Sequence, residues 1–228
     1  MLAAASSLAA ESVYAVPDST TSVTEPAGAT PAPLPWYHGL RIRTAMEIAV
    51  PSGARDLYGT GAGFNIGIQY RAELPKSFYF EPGVELSYTT MTVKDEFNID
   101  DYLYRGNART TTLRIPLMVG YCAALSDFSY LDFSTGPWLN FNVSAQQAVT
   151  PNLAAPVPVP NTKINLFDHG FKRFDAAWGI RLYVTFARQY TVGITSSVAF
   201  TPLASFGNRD KKIRVHRNTI AISLGYNF

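Results

Sequence analysis

Between Trp36 and Phe228 apolar side chains alternate with small or polar ones in eight runs, the two-residue period of a half-buried β-strand. The first run sets Leu40, Ile42, Thr44, Met46 and Ile48 against Arg41, Arg43, Ala45 and Glu47. The second sets Phe64, Ile66, Ile68 and Tyr70 against Asn65, Gly67, Gln69 and Arg71, and the third sets Phe78, Phe80, Val84, Leu86 and Tyr88 against Tyr79, Glu81, Gly83, Glu85 and Ser87. In the fourth, Leu113, Ile115, Leu117, Val119 and Tyr121 oppose Thr112, Arg114, Pro116, Met118 and Gly120. Leu131, Phe133, Leu139, Phe141 and Val143 oppose Asp132, Ser134, Gly136, Trp138 and Asn140 in the fifth. Trp178, Ile180, Leu182, Val184 and Phe186 oppose Asp175, Gly179, Arg181, Tyr183 and Thr185 in the sixth. The seventh has Tyr190, Val192, Ile194, Val198 and Phe200 against Thr191, Gly193, Thr195, Ser197 and Ala199. The last, Ile220, Ile222, Leu224, Tyr226 and Phe228 against Thr219, Ala221, Ser223, Gly225 and Asn227, ends the chain on an aromatic residue. Eight such strands predict an all-β protein whose last strand returns to the first and removes both open edges.

The two faces differ in charge. The apolar face carries none, whereas the other holds Arg41, Arg43, Arg71, Arg114 and Arg181 with Glu47, Glu81, Glu85, Asp132 and Asp175, five of each sign. A soluble lipid-binding barrel would turn the apolar face inward, and a membrane barrel would turn it to lipid. Three features favour the membrane. Connections alternate in length, with 50–63, 89–111, 144–174 and 201–217 long and 72–77 and 187–189 short, 122–130 being intermediate. Aromatics collect at the short-turn rim, where Tyr70, Phe78, Tyr121, Phe186, Tyr190, Tyr226 and Phe228 suit the headgroup boundary. The charged face uses Arg and no Lys, as a confined interior of bidentate pairs favours. The expected architecture is an eight-stranded antiparallel up-and-down transmembrane β-barrel. Its ten charged residues would form a packed interior network, because eight strands enclose only enough room for their own side chains.

Composition narrows the partners. The 228-residue chain has a formal net charge of +2 and 16% charged residues, so no basic face points to nucleic acid. Cys122 is the one cysteine, which excludes an internal disulfide and a thiolate cluster and suits a small buried or lipid-facing side chain. No apolar run is long enough for a membrane-spanning helix. Residues 1–15, rich in Ala, Ser, Leu and Val, read as a partial secretory signal that lacks a charged start. Residues 16–35, with Pro17, Pro26, Pro31, Pro33 and Pro35 among Ser, Thr and Ala, read as a disordered tether, and 36–228 as the barrel.

Little chemistry is visible. His38, His169 and His216 lie far apart and read as solvated rim residues; Asp168 beside His169 is too slight a pair to use. Gly59, Gly61 and Gly63 precede no helix and form no phosphate loop. Asp95, Glu96, Asp100 and Asp101 lack the spacing and turn glycine of a calcium loop. No catalytic, metal or cofactor site is expected. An outer-membrane lipid-modifying enzyme would need Ser, His and an acid at one rim, and stays as an alternative beside the soluble carrier.

The segments TTTLRIPLMVGY (110–121), FSTGPWLNF (133–141), FDAAWGIRLYV (174–184) and ISLGYNF (222–228) resemble the PorT-type outer-membrane β-barrel proteins of Bacteroidetes-like bacteria. That resemblance covers the chain from about Trp36 onward and implies a porin-like barrel in the bacterial outer membrane, in contact with its lipid. It also implies insertion by the barrel-assembly machinery, with Tyr226 and Phe228 as the terminal signal. Some members of that family are associated with protein secretion, so an envelope or secretion partner for the long loops is the expectation. The weak leader departs from the family pattern.

Overall fold

A computed structural model describes residues 39–53, 57–94, 98–99, 102–151, 162–206 and 213–228. The expected leader and tether, His38, the acidic group at 95–101 apart from the backbone of Asn98–Ile99, and Pro156, Pro158 and Pro160 of the longest connection lie outside the described residues.

Eight long strands form the barrel: β1 Leu40–Ser52, β2 Gly61–Tyr70, β3 Phe78–Thr92, β4 Tyr102–Ser126, β5 Ser129–Pro151, β6 Phe174–Phe186, β7 Tyr190–Ala199 and β8 Ile213–Asn227. Each pairs antiparallel with the next. β8 then pairs back onto β1, from Arg41 opposite Asn227 to Ser52 opposite His216, which closes the sheet. Short strands Ala72–Glu73, Asn98–Ile99, Thr162–Asn165 and Ala204–Phe206 and a 3₁₀ turn at Leu166–His169 decorate the rims. At one rim the turns are tight. Lys76 with Ser77, and Ala187 with Arg188, take left-handed φ values of 49–63°, the hand that matches the twist of hairpin strands.

The pleat sorts the side chains. Outward, Met46 is 78% and Ile222 65% exposed; inward, Glu81 is 0% and Arg114 2% exposed. Water would penalise so continuous an apolar exterior, whereas a hydrocarbon solvent rewards it. The soluble carrier, which needs the opposite orientation, is thereby excluded. Apolar faces such as Leu113 to Tyr121 and Ile220 to Phe228 run about nine residues, the length a tilted strand needs to cross a bilayer. Aromatic pairs mark both borders. Phe78 packs on Tyr121 at 5.3 Å and Tyr190 on Tyr226 at 5.6 Å near the tight turns, and Phe64 on Tyr88 at 5.7 Å and Phe141 on Phe174 at 5.2 Å lie nearer the other rim.

The strands outrun their alternating segments. The stretch 89–111, expected as a loop, is largely β3 and β4; the connection at 122–130 shrinks to a turn at Asp127–Phe128; and β8 begins at Ile213, so Arg217 belongs to a strand. Beyond the bilayer the outward face meets polar surroundings while Met91, Ala108, Ala145 and Val215 turn inward into an apolar cluster, so the membrane segment's apolar-out, polar-in signal is lost although the hydrogen-bonded ladder continues. The β4–β5 ladder shifts register at three places, and at one of them alternation along β5 slips. Thr111 faces Ser144 but Thr112 faces Asn142, so Val143 bulges outward and odd-numbered Ala145 and Gln147 become the inward, buried residues after it.

Candidate functional site

The inward positions stack in four levels. At the tight-turn rim an open cavity of about 360 Å³ is lined by Arg41, Arg71, Cys122, Asp132, Arg188 and Asn227, among others. Arg71 Nη1 donates to Asp132 Oδ1 at 2.8 Å, and its guanidinium lies 3.9 Å from the centre of the Tyr79 ring. Cys122, half-buried, faces this mouth and not the lipid.

Above it lies the charged level. Glu81 receives Arg41 at 3.1 Å and Arg43 at 3.2 Å, with Arg181 at 3.5 Å. Glu85 receives Arg181, Arg114 at 3.5 Å and Gln69 at 2.7 Å. Glu47 receives Arg114 at 3.3 Å, Asn65 at 3.1 Å and the Ser87 hydroxyl. Strand pairing explains part of this: Glu85 stands directly opposite Arg114 in the β3–β4 ladder. Asn65 with Glu47 and Gln69 with Glu85 also join neighbouring strands, whereas Arg114 with Glu47 and Arg181 with Glu81 and Glu85 link strands that are not paired, a reach that long arginine side chains provide.

Arginine planes stack on the large rings of this level. Arg43 lies 4.1 Å from the Tyr183 ring centre, and Arg114 and Arg181 lie 4.5 and 5.3 Å from Trp138. Desolvated cation–π contacts of this kind are worth about 2 kcal/mol. Glycines make room for the rings. A side chain at Gly179 would run into the Trp138 indole, and one at Gly193 into Tyr183.

The third level centres on Asp175, which accepts from Asn140 at 2.7 Å, Asn142 at 2.9 Å and Arg217 at 3.4 Å. Arg217 also donates to Thr112 at 3.0 Å and Thr110 at 3.2 Å. Arg217 was missing from the expected set, yet its parity with Thr219, Ala221 and Ser223 was the available signal. The fourth level is apolar. Tyr58, Met91, Leu166, Phe171, Leu203, Phe206 and Val215 form a buried cluster at the long-loop rim, its three rings 6.0–6.2 Å apart.

All ten charged residues named from the sequence therefore face the lumen, and each contacts an opposite charge there. Tyr226 and Phe228 lie together on the outside of the tight-turn rim, rings 5.0 Å apart. His169 ends the 3₁₀ turn, in which Asp168 accepts from Asn165 at 3.1 Å, and His216 lies in β8. Among the described residues no His, Cys, Asp and Glu converge as a metal site.

A family model described as the outer membrane protein beta-barrel domain matches residues 39–205. No curated protein sequence matches the chain. Among solved structures, the attachment invasion locus protein Ail of Yersinia pestis, in complex with the heparin analogue sucrose octasulfate, aligns at 11% identity with a TM-score of 0.41, over 84% of this chain and 99% of that one. Neisserial surface protein A aligns at 11% identity with a TM-score of 0.42, over 83% of this chain and 97% of that one.

Proposed function

Because the chain belongs to the outer-membrane β-barrel family and so resides in the bacterial outer membrane, we propose that it is a non-enzymatic, non-conducting barrel that holds its long connections at the cell surface for contact with a ligand or another envelope protein. The observation that carries this reading is the filled lumen. Two charged levels of paired side chains, and an apolar cluster above them, stack buried side chains through the described lumen. Burying that many ion pairs costs desolvation, which a channel would avoid by keeping its charges wet. A rigid plug instead supports β4 and β5, of 25 and 23 residues, which run far past the nine to eleven or so needed to cross the bilayer.

Within this proposal 1–15 act as the export signal, 16–35 as a tether and 36–228 as the barrel, with Tyr226 and Phe228 serving the assembly machinery. The sequence resemblance supports placing the chain among PorT-type barrels, with a protein-secretion partner for its long connections. Planar-bilayer recording tests the filled lumen: purified barrel should insert without single-channel steps, and stable unitary currents would overturn the reading. Co-purification in mild detergent tests the partner, a secretion component being the expected companion and isolation of the barrel alone the contrary result.

A further inference from the structure

Counting buried and half-buried groups, the lumen is one negative charge short. Among the described residues six arginines face it, Arg41, Arg43, Arg71, Arg114, Arg181 and Arg217, against the five carboxylates of Glu47, Glu81, Glu85, Asp132 and Asp175. The shortfall recurs locally. A chamber of about 10 Å³, room for one water-sized particle, is lined by three of these arginines, Arg43, Arg114 and Arg181, and two of the acids, Glu47 and Glu85, among other residues.

Hydrogen bonding around the chamber is unbalanced in the same sense. Arg43 Nε and Nη1, Arg114 Nε, and Arg181 Nε and Nη1 are buried and donate to no acceptor, although Arg181 Nη1 lies 3.5 Å from Glu81. Among the fully buried side-chain acceptors around the chamber, Gln69 Oε1 lacks a donor. The carboxylates do not turn to the chamber with free oxygens. Both oxygens of Glu47 are taken by Asn65, Ser87 and Arg114, and both of Glu85 by Gln69, Arg114 and Arg181. A water molecule there could accept from two of these N–H groups, but its own two donors would meet a wall already rich in donors and the charge would stay uncompensated. A small anion adds acceptor capacity and charge together, and a buried unpaired charge is among the costliest defects a protein interior can carry.

We propose that this chamber is a binding site for one small monovalent anion such as chloride, held by Arg43 and Arg181 and closing the charge balance of the barrel. Walled in by the Glu81 level on one side and the Asp175 level on the other, the ion is enclosed as the barrel closes and serves the fold, not transport.

Crystals of the full chain grown from detergent in sodium bromide test this directly. One anomalous bromide peak between Arg43 and Arg181 is expected. In solution, the barrel refolded in chloride should melt several degrees higher than in gluconate of equal ionic strength, because an ion bound only to the native state raises its stability. Arg43→Met should abolish that difference. Density in the chamber without anomalous signal would mean water and overturn the proposal. Halide-independent melting with a tyrosinate absorption band at neutral pH, lost in Tyr183→Phe, would also overturn it by making the phenolate the missing charge. Should Arg43→Met fail to fold, the bromide peak in the natural chain decides.

Discussion

Arg217 Nη2 lies 3.4 Å from Asp175 Oδ2, joining residues 42 positions apart on β8 and β6 over the intervening β7. Both are almost fully buried, so each depends on the other for compensation of its charge. Arg217→Met alone should cost about 3–5 kcal/mol, the usual penalty for stranding a buried partner. The double variant Arg217→Met with Asp175→Leu should recover a good part of that loss. Urea unfolding in lipid vesicles measures the cycle, and equal losses in the single and double variants would mean that the pair is not coupled.

Arg114 serves two carboxylates at once, Glu47 at 3.3 Å and Glu85 at 3.5 Å. Arg114→Leu strands part of both and should lower the melting temperature seen by heat-modifiable gel migration. Arg114→Lys keeps the charge but loses the planar fork, so its melting temperature should fall between those of the natural chain and the Leu variant. An unchanged temperature for Arg114→Leu would show that the network contributes nothing to stability.

A third test concerns space and not charge. Gly179 faces the flank of the Trp138 indole, and any β-carbon placed there meets the ring. Gly179→Ala should therefore destabilise the barrel by about 1–3 kcal/mol through overpacking. Adding Trp138→Phe, a smaller ring, should return part of the loss in the same unfolding assay. If Gly179→Ala is neutral, Trp138 must have another rotamer available.

Strand parity makes the barrel legible in the sequence. It assigns Arg41 and Glu81 to one face and Ile42 and Phe80 to the other, because the bilayer imposes an apolar exterior on every crossing segment. Parity cannot say which carboxylate meets which guanidinium. That Arg181 reaches both Glu81 and Glu85 follows from curvature and closure, which are properties of the whole sheet. The long-loop end was harder still. Tyr58, Phe171 and Phe206 sit in segments without alternation, and they cluster only because β4, β5 and β8 extend past the bilayer and bring their rims together. Arg217 lay one step beyond the recognised part of β8, hidden by the polar run Arg214, His216, Arg217 and Asn218 that resembles a loop.

The closing seam supplies the last prediction. The Phe228 amide donates to the Leu40 carbonyl at 3.0 Å, at the tight-turn end of the β1–β8 ladder. Its half-exposed ring packs edge-on against Tyr226, which in turn packs against Tyr190. Two effects of deleting Phe228 can be separated. The finished barrel loses one of many seam contacts and one ring of the interfacial belt, so refolding of purified protein into vesicles should be close to normal, with stability lower by about 1–2 kcal/mol. In cells, where a terminal aromatic residue is what the assembly machinery would engage, membrane-inserted protein should fall sharply while synthesis is unchanged. Phe228→Tyr keeps ring and amide and should restore insertion. If deletion lowers vesicle refolding and cellular insertion to the same degree, Phe228 acts through seam stability alone, and the assembly role is wrong.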